Sequence, residues 1–322
     1  MCTTDSENMI ETEFIIKTED LHKCFKNVKA VQGVNLNVKK GDVYGFLGPN
    51  GSGKTTTIKM IMGLTHPDSG NVFINGRNIA KNGVALRASI GYLPERAQLY
   101  KNLTAIQTLN FFAELRKVDK KECDELLSKI GLTKWRDAKV GTFSKGMMQL
   151  LGIGQALLGD PELLILDEPT SGLDPRWSRV LKDIILEKNS KGTTVFFSSH
   201  LLFEVQELCK RVAILNKGQL IIEDTVDKIS ESVYLKPQLI LRIQGDTQAA
   251  INILKEGGFD CQLVGNQLKV PVESDRKIKV LNLLVENGII IEDLRTEEPS
   301  LEAAFIELIG DEDSVGGDIN EA

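Results

Sequence analysis

The sequence predicts an α/β chain in two parts: a larger domain on a parallel sheet with a helical subdomain, and a small C-terminal α+β domain. Three observations predict it. Short apolar runs at 43–47, 163–166, 194–197 and 212–215 each adjoin a helical stretch, the pattern of a parallel α/β sheet. The stretch from about 103 to 160 is mostly helical in pattern. After about Ile229 the order becomes βαββαβ, the split-βαβ plan.

The elements follow in order. Residues 1–12 carry Asp5, Glu7 and Glu11 and read as a flexible polar leader. A strand-rich stretch opens at Phe14-Ile15-Ile16, and Val34 to Val38 alternates with the period of a half-buried strand. Lys39 to Asp42 reads as a turn, and Val43 to Leu47 as a short buried strand. A Gly-rich loop then leads into a helix over Thr55 to Leu64. Ala105 to Val118 places Leu109, Phe112 and Leu115 on one expected apolar face. Residues 13–229 form the larger domain, and 230–238, with Pro237, read as a linker. Domain 239–310 follows: strand Leu239–Ile243, helix Thr247–Glu256, strands Cys261–Val264 and Leu268–Val272, helix Arg276–Glu286, strand Ile289–Leu294 and a closing helix Leu301–Ile309. Gly265-Asn266 marks a hairpin between its middle strands, so the expected plan is ferredoxin-like. Residues 311–322 form an acidic tail.

Composition narrows the function classes. Apolar residues make up 42% and charged residues 26% of 322 positions, which is ordinary globular chemistry for about two domains. Lys plus Arg is 39 against 45 for Asp plus Glu, a net charge of −6. An acidic chain is poorly suited to neutralising nucleic-acid phosphates, so no nucleic-acid partner is expected. No run approaches the roughly 18 apolar residues of a membrane span, and the start lacks a secretory pattern. The five cysteines are scattered without a CxxC pair, and the three histidines are dispersed. These features read as reduced thiols in the cytoplasm, without a spacing that signals a metal cluster.

Gly48-Pro49-Asn50-Gly51-Ser52-Gly53-Lys54-Thr55 matches the phosphate-binding loop pattern at every fixed position, with Thr56 continuing into the helix. Glycines let backbone N–H groups approach phosphates closely, and the helix N-terminus faces the same charge. Lys54 would reach the β- and γ-phosphates of ATP, and Thr55 would offer its hydroxyl to Mg²⁺. Leu163-Leu164-Ile165-Leu166-Asp167-Glu168 is an apolar strand ending in two acids. Ligands bind beyond the carboxyl ends of such strands. Asp167 would hold Mg²⁺ and Glu168 would orient and deprotonate the attacking water.

With these two motifs, Phe143-Ser144-Lys145-Gly146-Met147 resembles the signature loop of ATP-binding-cassette (ABC) ATPases. Ser171-Gly172-Leu173-Asp174 resembles the family's dimer-interface loop, and Ser198-Ser199-His200 its switch histidine segment. Phe25 stands where the family places an aromatic on adenine. The resemblance covers about residues 14–225. It implies that two chains enclose two ATP, with Ser144 and Gly146 of one chain, and the Asp174 loop, closing on the nucleotide of the other. It also implies that His200 contacts the γ-phosphate. Two departures stand out. Glu95 follows Tyr92-Leu93-Pro94 where the family usually has Gln, and Gln149-Leu150 replaces the commoner Gln-Arg. Glu95 is carried over as a residue that approaches Mg²⁺ or the water.

The resemblance further implies a separate multi-span permease, a second ATP-binding subunit and a place on the inner face of the cell membrane. The permease would dock between the Glu95 loop and the helix near 105–115, where Phe111 and Phe112 are apolar candidates or core. The segment 294–302 resembles the end of an accessory domain of ABC-2-type ATPases, which mostly serve exporters of drugs, ions or lipid-linked cargo. A branch that matures the copper site of nitrous-oxide reductase fits the same motifs. A soluble ABC ATPase acting on ribosomes or DNA is the rival class. Only 90 residues separate Lys54 from Ser144, which leaves no room for a long coiled coil, and the chain has a single cassette. The C-terminal domain is compatible with a ligand sensor or a dimer contact.

Overall fold

The computed structural model describes residues 13–232 and 237–297. These divide into two compact units, with the boundary between Thr225 and Val226.

The first unit opens with strands β1 (Phe14–Phe25), β2 (Val28–Val34) and β3 (Asn37–Lys39). Strand β4 (Val43–Leu47) runs into the phosphate loop and helix α1 (Lys54–Ile61). Then come β5 (Ser69–Ile74), β6 (Arg77–Asn78), α2 (Ile79–Ala88) and β7 (Ile90–Leu93). Helices α3 (Ala105–Arg116), α4 (Lys121–Lys129) and α5 (Lys145–Leu157) pack on one another. The remainder alternates: β8 (Leu163–Asp167), α6 (Pro175–Ser190), β9 (Thr194–Ser199), α7 (Leu202–Leu208), β10 (Arg211–Asn216) and β11 (Gln219–Thr225).

Two sheets result. The antiparallel one has the order β2-β1-β5-β6, with β3 also on β1. The other has the order β11-β10-β4-β9-β8-β7, parallel except for the hairpin to β11. Strands β4, β8 and β9 are buried at every residue, as continuous apolar strands between two covered faces must be. Phe196 on β9 is the pivot of the packing. Its ring stacks on Tyr44 with centroids 5.5 Å apart and tilts against Phe46 at 5.4 Å.

Three expectations shift. The alternating run 34–38 is not one strand: it breaks between β2 and β3. The Asn35 side chain accepts from Asp20 N and donates to Gly33 O, and Leu36 instead pairs with Thr18. The helix expected over 55–64 ends at Ile61, where Gly63 turns left-handed and Leu64 N reaches back to Lys59 O. On α3 the buried face is Ala105, Ile106, Leu109 and Ala113, while Leu115 is exposed. Steps of three residues fall short of the 3.6-residue turn, so Leu115 has rotated away from the Leu109 face. A reciprocal cap between Thr104 and Gln107 sets the start of α3.

The second unit opens with α8 (Val226–Ser232). It continues with β12 (Gln238–Gln244), α9 (Thr247–Glu256), β13 (Gln262–Val264), β14 (Gln267–Pro271), α10 (Lys277–Glu286) and β15 (Ile290–Glu297). The sheet order is β13-β14-β12-β15, antiparallel throughout, which is the topology of the split-βαβ plan. Leu239, Leu241, Leu268 and Val270 form its core with Ala250, Leu254, Val280 and Leu284 of the two helices. The stretch read as linker, 230–238, begins inside α8 and ends in β12; Pro237 is not spacer, because its carbonyl accepts from Val272 N. The leader, the closing helix Leu301–Ile309 and the acidic tail lie outside the described residues.

Phe196→Ala would leave a void between Tyr44 and Phe46. We expect a loss of about 3–5 kcal/mol in urea unfolding. A loss below about 1 kcal/mol would mean that the sheet collapses freely around the site.

Candidate functional site

The site forms where β4, β8 and β9 end side by side. Strand β4 releases the phosphate loop, β8 ends in Asp167, with Glu168 next, and β9 ends one residue before His200. The loop geometry needs its glycines. Gly53 lies at φ 107°, and a Cβ there would stand 2.3 Å from Ala30 O. A Cβ on Gly48 would stand 2.3 Å from Leu215 O and 2.6 Å from Ser52 Oγ. Gly53 is also the N-cap of α1 and gives the first-turn N–H groups no side-chain partner, so that helix end is left for an anion.

Lys54 is buried, and its Nζ donates to Gly48 O at 2.6 Å and Pro49 O at 3.2 Å. The same Nζ lies 3.2 Å from Glu168 Oε1. That carboxylate oxygen has no aligned hydrogen bond, so the contact is an ion pair without directed donation. The other oxygen, Glu168 Oε2, is 2.7 Å from His200 Nδ1. Lys54, Glu168 and His200 thus form one chain of contacts. Glu168 adopts φ 48°, a left-handed conformation rare outside glycine. Two bonds hold it there: Glu168 N donates to Ser198 Oγ at 3.0 Å, and its carbonyl accepts from Ser171 N at 3.1 Å.

Ser198 has a second task. Its hydroxyl donates to Asp167 Oδ1 at 2.6 Å. Asp167 is fully buried, and burial pushes its carboxyl above the ordinary range; the Ser198 and Thr55 hydroxyls pull it back, while Glu168 and Glu95 push it further up. Asp167 Oδ2 and Ser52 Oγ are buried without hydrogen-bond partners among the described residues. Orphaned buried oxygens beside a phosphate loop fit a cation and an anion that would satisfy them. Tyr92, behind Asp167, has its phenol pushed up to about 12, first by burial and then by Asp167.

The pocket, of about 620 Å³, gathers most of the expected residues and omits others. Asn50 to Thr56, Glu95, Glu168 and His200 line it. Phe25 does not: it sits half exposed at the end of β1 with Lys23 Nζ 5.4 Å from its ring, and Val28 to Ala30 line the wall in its place. Ser144, Gly146 and Asp174 also lie off the pocket. Ser144 caps α5 by accepting from Met147 N, and Asp174 caps α6 by accepting from Trp177 N. The signature and dimer-interface loops adjoin each other, because a Cβ on Gly146 would lie 3.2 Å from Gly172 O.

Sequence reasoning missed four contributors. Ser198 was seen only as part of the histidine segment, and Ser171 only as part of its loop. Lys29 and Lys217 come from a strand and a hairpin far apart in the chain and carry no local motif. The unusual Gln149-Leu150 pair is also resolved. Leu150 is core, and buried Gln149 donates to Pro169 O, just past the acids.

Ser198→Ala would strip a partner from both Asp167 and Glu168 N. Stability should fall by about 1–3 kcal/mol in urea unfolding. Steady-state ATP turnover should fall with it, and unchanged turnover would remove Ser198 from the site.

Comparison with known proteins gives the site its family. The ABC transporter family profile matches residues 31–171. The bacitracin transport ATP-binding protein BcrA of Bacillus licheniformis is 40% identical over 305 residues, covering 92% of this chain and 97% of that protein. The linearmycin resistance ATP-binding protein LnrL of Bacillus subtilis is 33% identical over 306 residues, covering 92% and 98%. Among solved structures, an ATP-binding subunit of an ABC transporter superposes with a TM-score of 0.64 at 32% identity, over 68% of this chain and 92% of that one. A dimeric ATP-binding cassette in a post-hydrolysis state with ADP and Pi bound superposes with a TM-score of 0.58 at 26% identity, over 65% and 98%. A phosphate loop, an acid pair and a histidine converging on one sheet edge, with relatives along nearly the whole length, place this chain among the ATP-binding subunits of ABC transporters, ATPases coupled to transport.

Proposed function

We propose that this chain drives a separate multi-span permease as the ATPase of an ABC-2-type exporter, with a drug as cargo. The observation that carries the ATP chemistry is the chain of contacts from buried Lys54 through buried Glu168 to exposed His200, beside the phosphate loop. Relatives named for bacitracin transport and linearmycin resistance support the exporter reading.

Lys54 binds the β- and γ-phosphates, and Gly48 to Gly53 wrap them. Glu168 orients the attacking water and takes its proton, while His200 fixes the carboxylate from the other side and meets the γ-phosphate. Thr55, Asp167 and Glu95 would hold Mg²⁺, which supplies charge neutralisation at the phosphates when bound. Phe25, which does not line the pocket, would serve adenine only by moving onto it. Ser144 and Gly146, off this chain's own pocket, complete the site of a second copy, as does the Asp174 loop. The dimeric cassette among the structural relatives supports that pairing.

No helix among the described residues is long and apolar enough to cross a membrane. In this reading the chain, as the ATPase of a transporter, works from the inner face of the cell membrane through a surface contact with the permease. Tyr100, Phe111 and Phe112 form a chain of edge-to-face rings, with centroids 5.4 Å apart at each step, between the Glu95 loop and α3. Exposed Tyr100 and Phe111 are the docking candidates.

Glu168→Gln should bind MgATP but lose about 100-fold or more in turnover, the scale of a lost general base. Size-exclusion chromatography with MgATP should then show a dimer that wild type forms only transiently. Near-normal turnover would sink the base assignment, and a monomer at saturating MgATP would sink the pairing. Affinity capture of this variant from native membranes tests the partner: a stoichiometric multi-span protein supports transport, and ribosomal or DNA-repair proteins alone would overturn it.

A further inference from the structure

The pocket has one wall that the phosphate-loop chemistry leaves unused. It is the turn joining β10 to β11. Asn216 pairs with Gln219, so Lys217 and Gly218 make a two-residue loop, left-handed at φ 46° and 81°. Its backbone is pinned from two sides. Gly218 N donates to Ser52 O at 2.9 Å, and Gly218 O accepts from Gln32 N at 2.8 Å. Lys217 O accepts from Gln32 Nε2 at 2.8 Å. A Cβ on Gly218 would lie 2.9 Å from both Lys29 O and Ala30 O. The turn is therefore wedged between the phosphate loop and β2, and it sets Lys217 on the pocket rim beside Lys29.

Charge shows what the rim is for. Apart from these two lysines, the lining holds one cation, Lys54, against two carboxylates, Glu95 and Glu168, with Asp167 behind them. With Glu95 and Asp167 set aside as Mg²⁺ candidates, Lys54 and the loop N–H groups are what the site otherwise offers the phosphates. Lys29 and Lys217 add two further cations at the rim. The residues next to them in the chain, Gly218 and Ala30, abut the loop at Ser52 and Gly53, whereas Glu168 meets Lys54 and His200 meets Glu168.

We propose that Lys217, seconded by Lys29, is a nucleotide-binding cation that acts on the phosphates common to ATP and ADP. The inference rests on the ATP reading above and assigns the rim of that same site. The backbone offers a clean test. A lysine at a left-handed position is less favourable than asparagine. Lys217→Asn thus removes the charge while relaxing the turn.

The test uses full-length protein and measures Kd for MgATP and MgADP by calorimetry, at low and high salt, with thermal midpoints taken without nucleotide. Lys217→Asn should raise both Kd values about threefold to tenfold, the size of one partly exposed charge contact, and the difference should shrink at high salt. Its nucleotide-free midpoint should hold or rise, and Lys217→Arg should restore affinity. Unchanged Kd values would overturn the proposal, as would a loss confined to ATP. Lys54→Ala is measured alongside. If it loses nucleotide while Lys217→Asn does not, only the rim assignment fails; if neither loses it, the ATP reading of the pocket fails as well.

Discussion

A buried ammonium organises this molecule's working end. Lys54 sits out of water, and an uncompensated charge there would cost several kcal/mol. Its partners are two carbonyls of its own loop and the carboxylate of Glu168. Each partner imposes a further demand. The carbonyls require the loop to curl tightly enough that Gly48 and Gly53 have no room for a side chain. Glu168 must leave the end of β8 in a left-handed turn that only surrounding bonds sustain.

The sheet order satisfies those demands. In the sequence, the phosphate loop and the acid pair lie more than a hundred residues apart, and the histidine segment follows later still. Strand β9 lies between β4 and β8, so its end stands between the loop and the acids. Ser198 and His200 enter from there, one holding Asp167 and the Glu168 backbone, the other holding the Glu168 side chain. The end of β9 and the residue after it thus supply two supports for the acids at the end of its neighbour. The stacked rings of Phe196 and Tyr44 lock β9 to β4 from within the core.

The helical subdomain is tied to this edge by small contacts. Gln149 of α5 bonds Pro169 O, just beyond Glu168. The Arg116 guanidinium at the end of α3 donates to the carbonyls of Leu158 and Ile90, joining three elements without a carboxylate partner among the described residues. Burial lowers its pKa. The signature loop is thereby held at the start of α5, away from its own pocket. A displacement of α3–α5 would be felt at the acids through these same bonds.

Motifs in the sequence determined the chemistry. Gly48 to Thr55, Asp167 and Glu168 were legible because each lies in a local pattern of residue types that suits phosphate, metal or proton chemistry, whereas His200 was marked only by the family resemblance. The strands β4, β8 and β9 were legible from the runs 43–47, 163–166 and 194–197, because burial on both faces demands unbroken apolar stretches. Periodicity likewise placed α9 from Thr247 to Glu256 and the four strands of the C-terminal unit, because one covered face repeats its own spacing. Tertiary structure alone decided the rest. The break at Asn35 depends on bonds to a neighbouring strand, and the true buried face of α3 depends on what packs there. Ser198 acquires its role only when β9 lies against β8. Lys29 and Lys217 share a pocket rim across 188 positions only because a hairpin turn is wedged beside β2. No local pattern records a contact between distant segments, so only the folded chain assembles them.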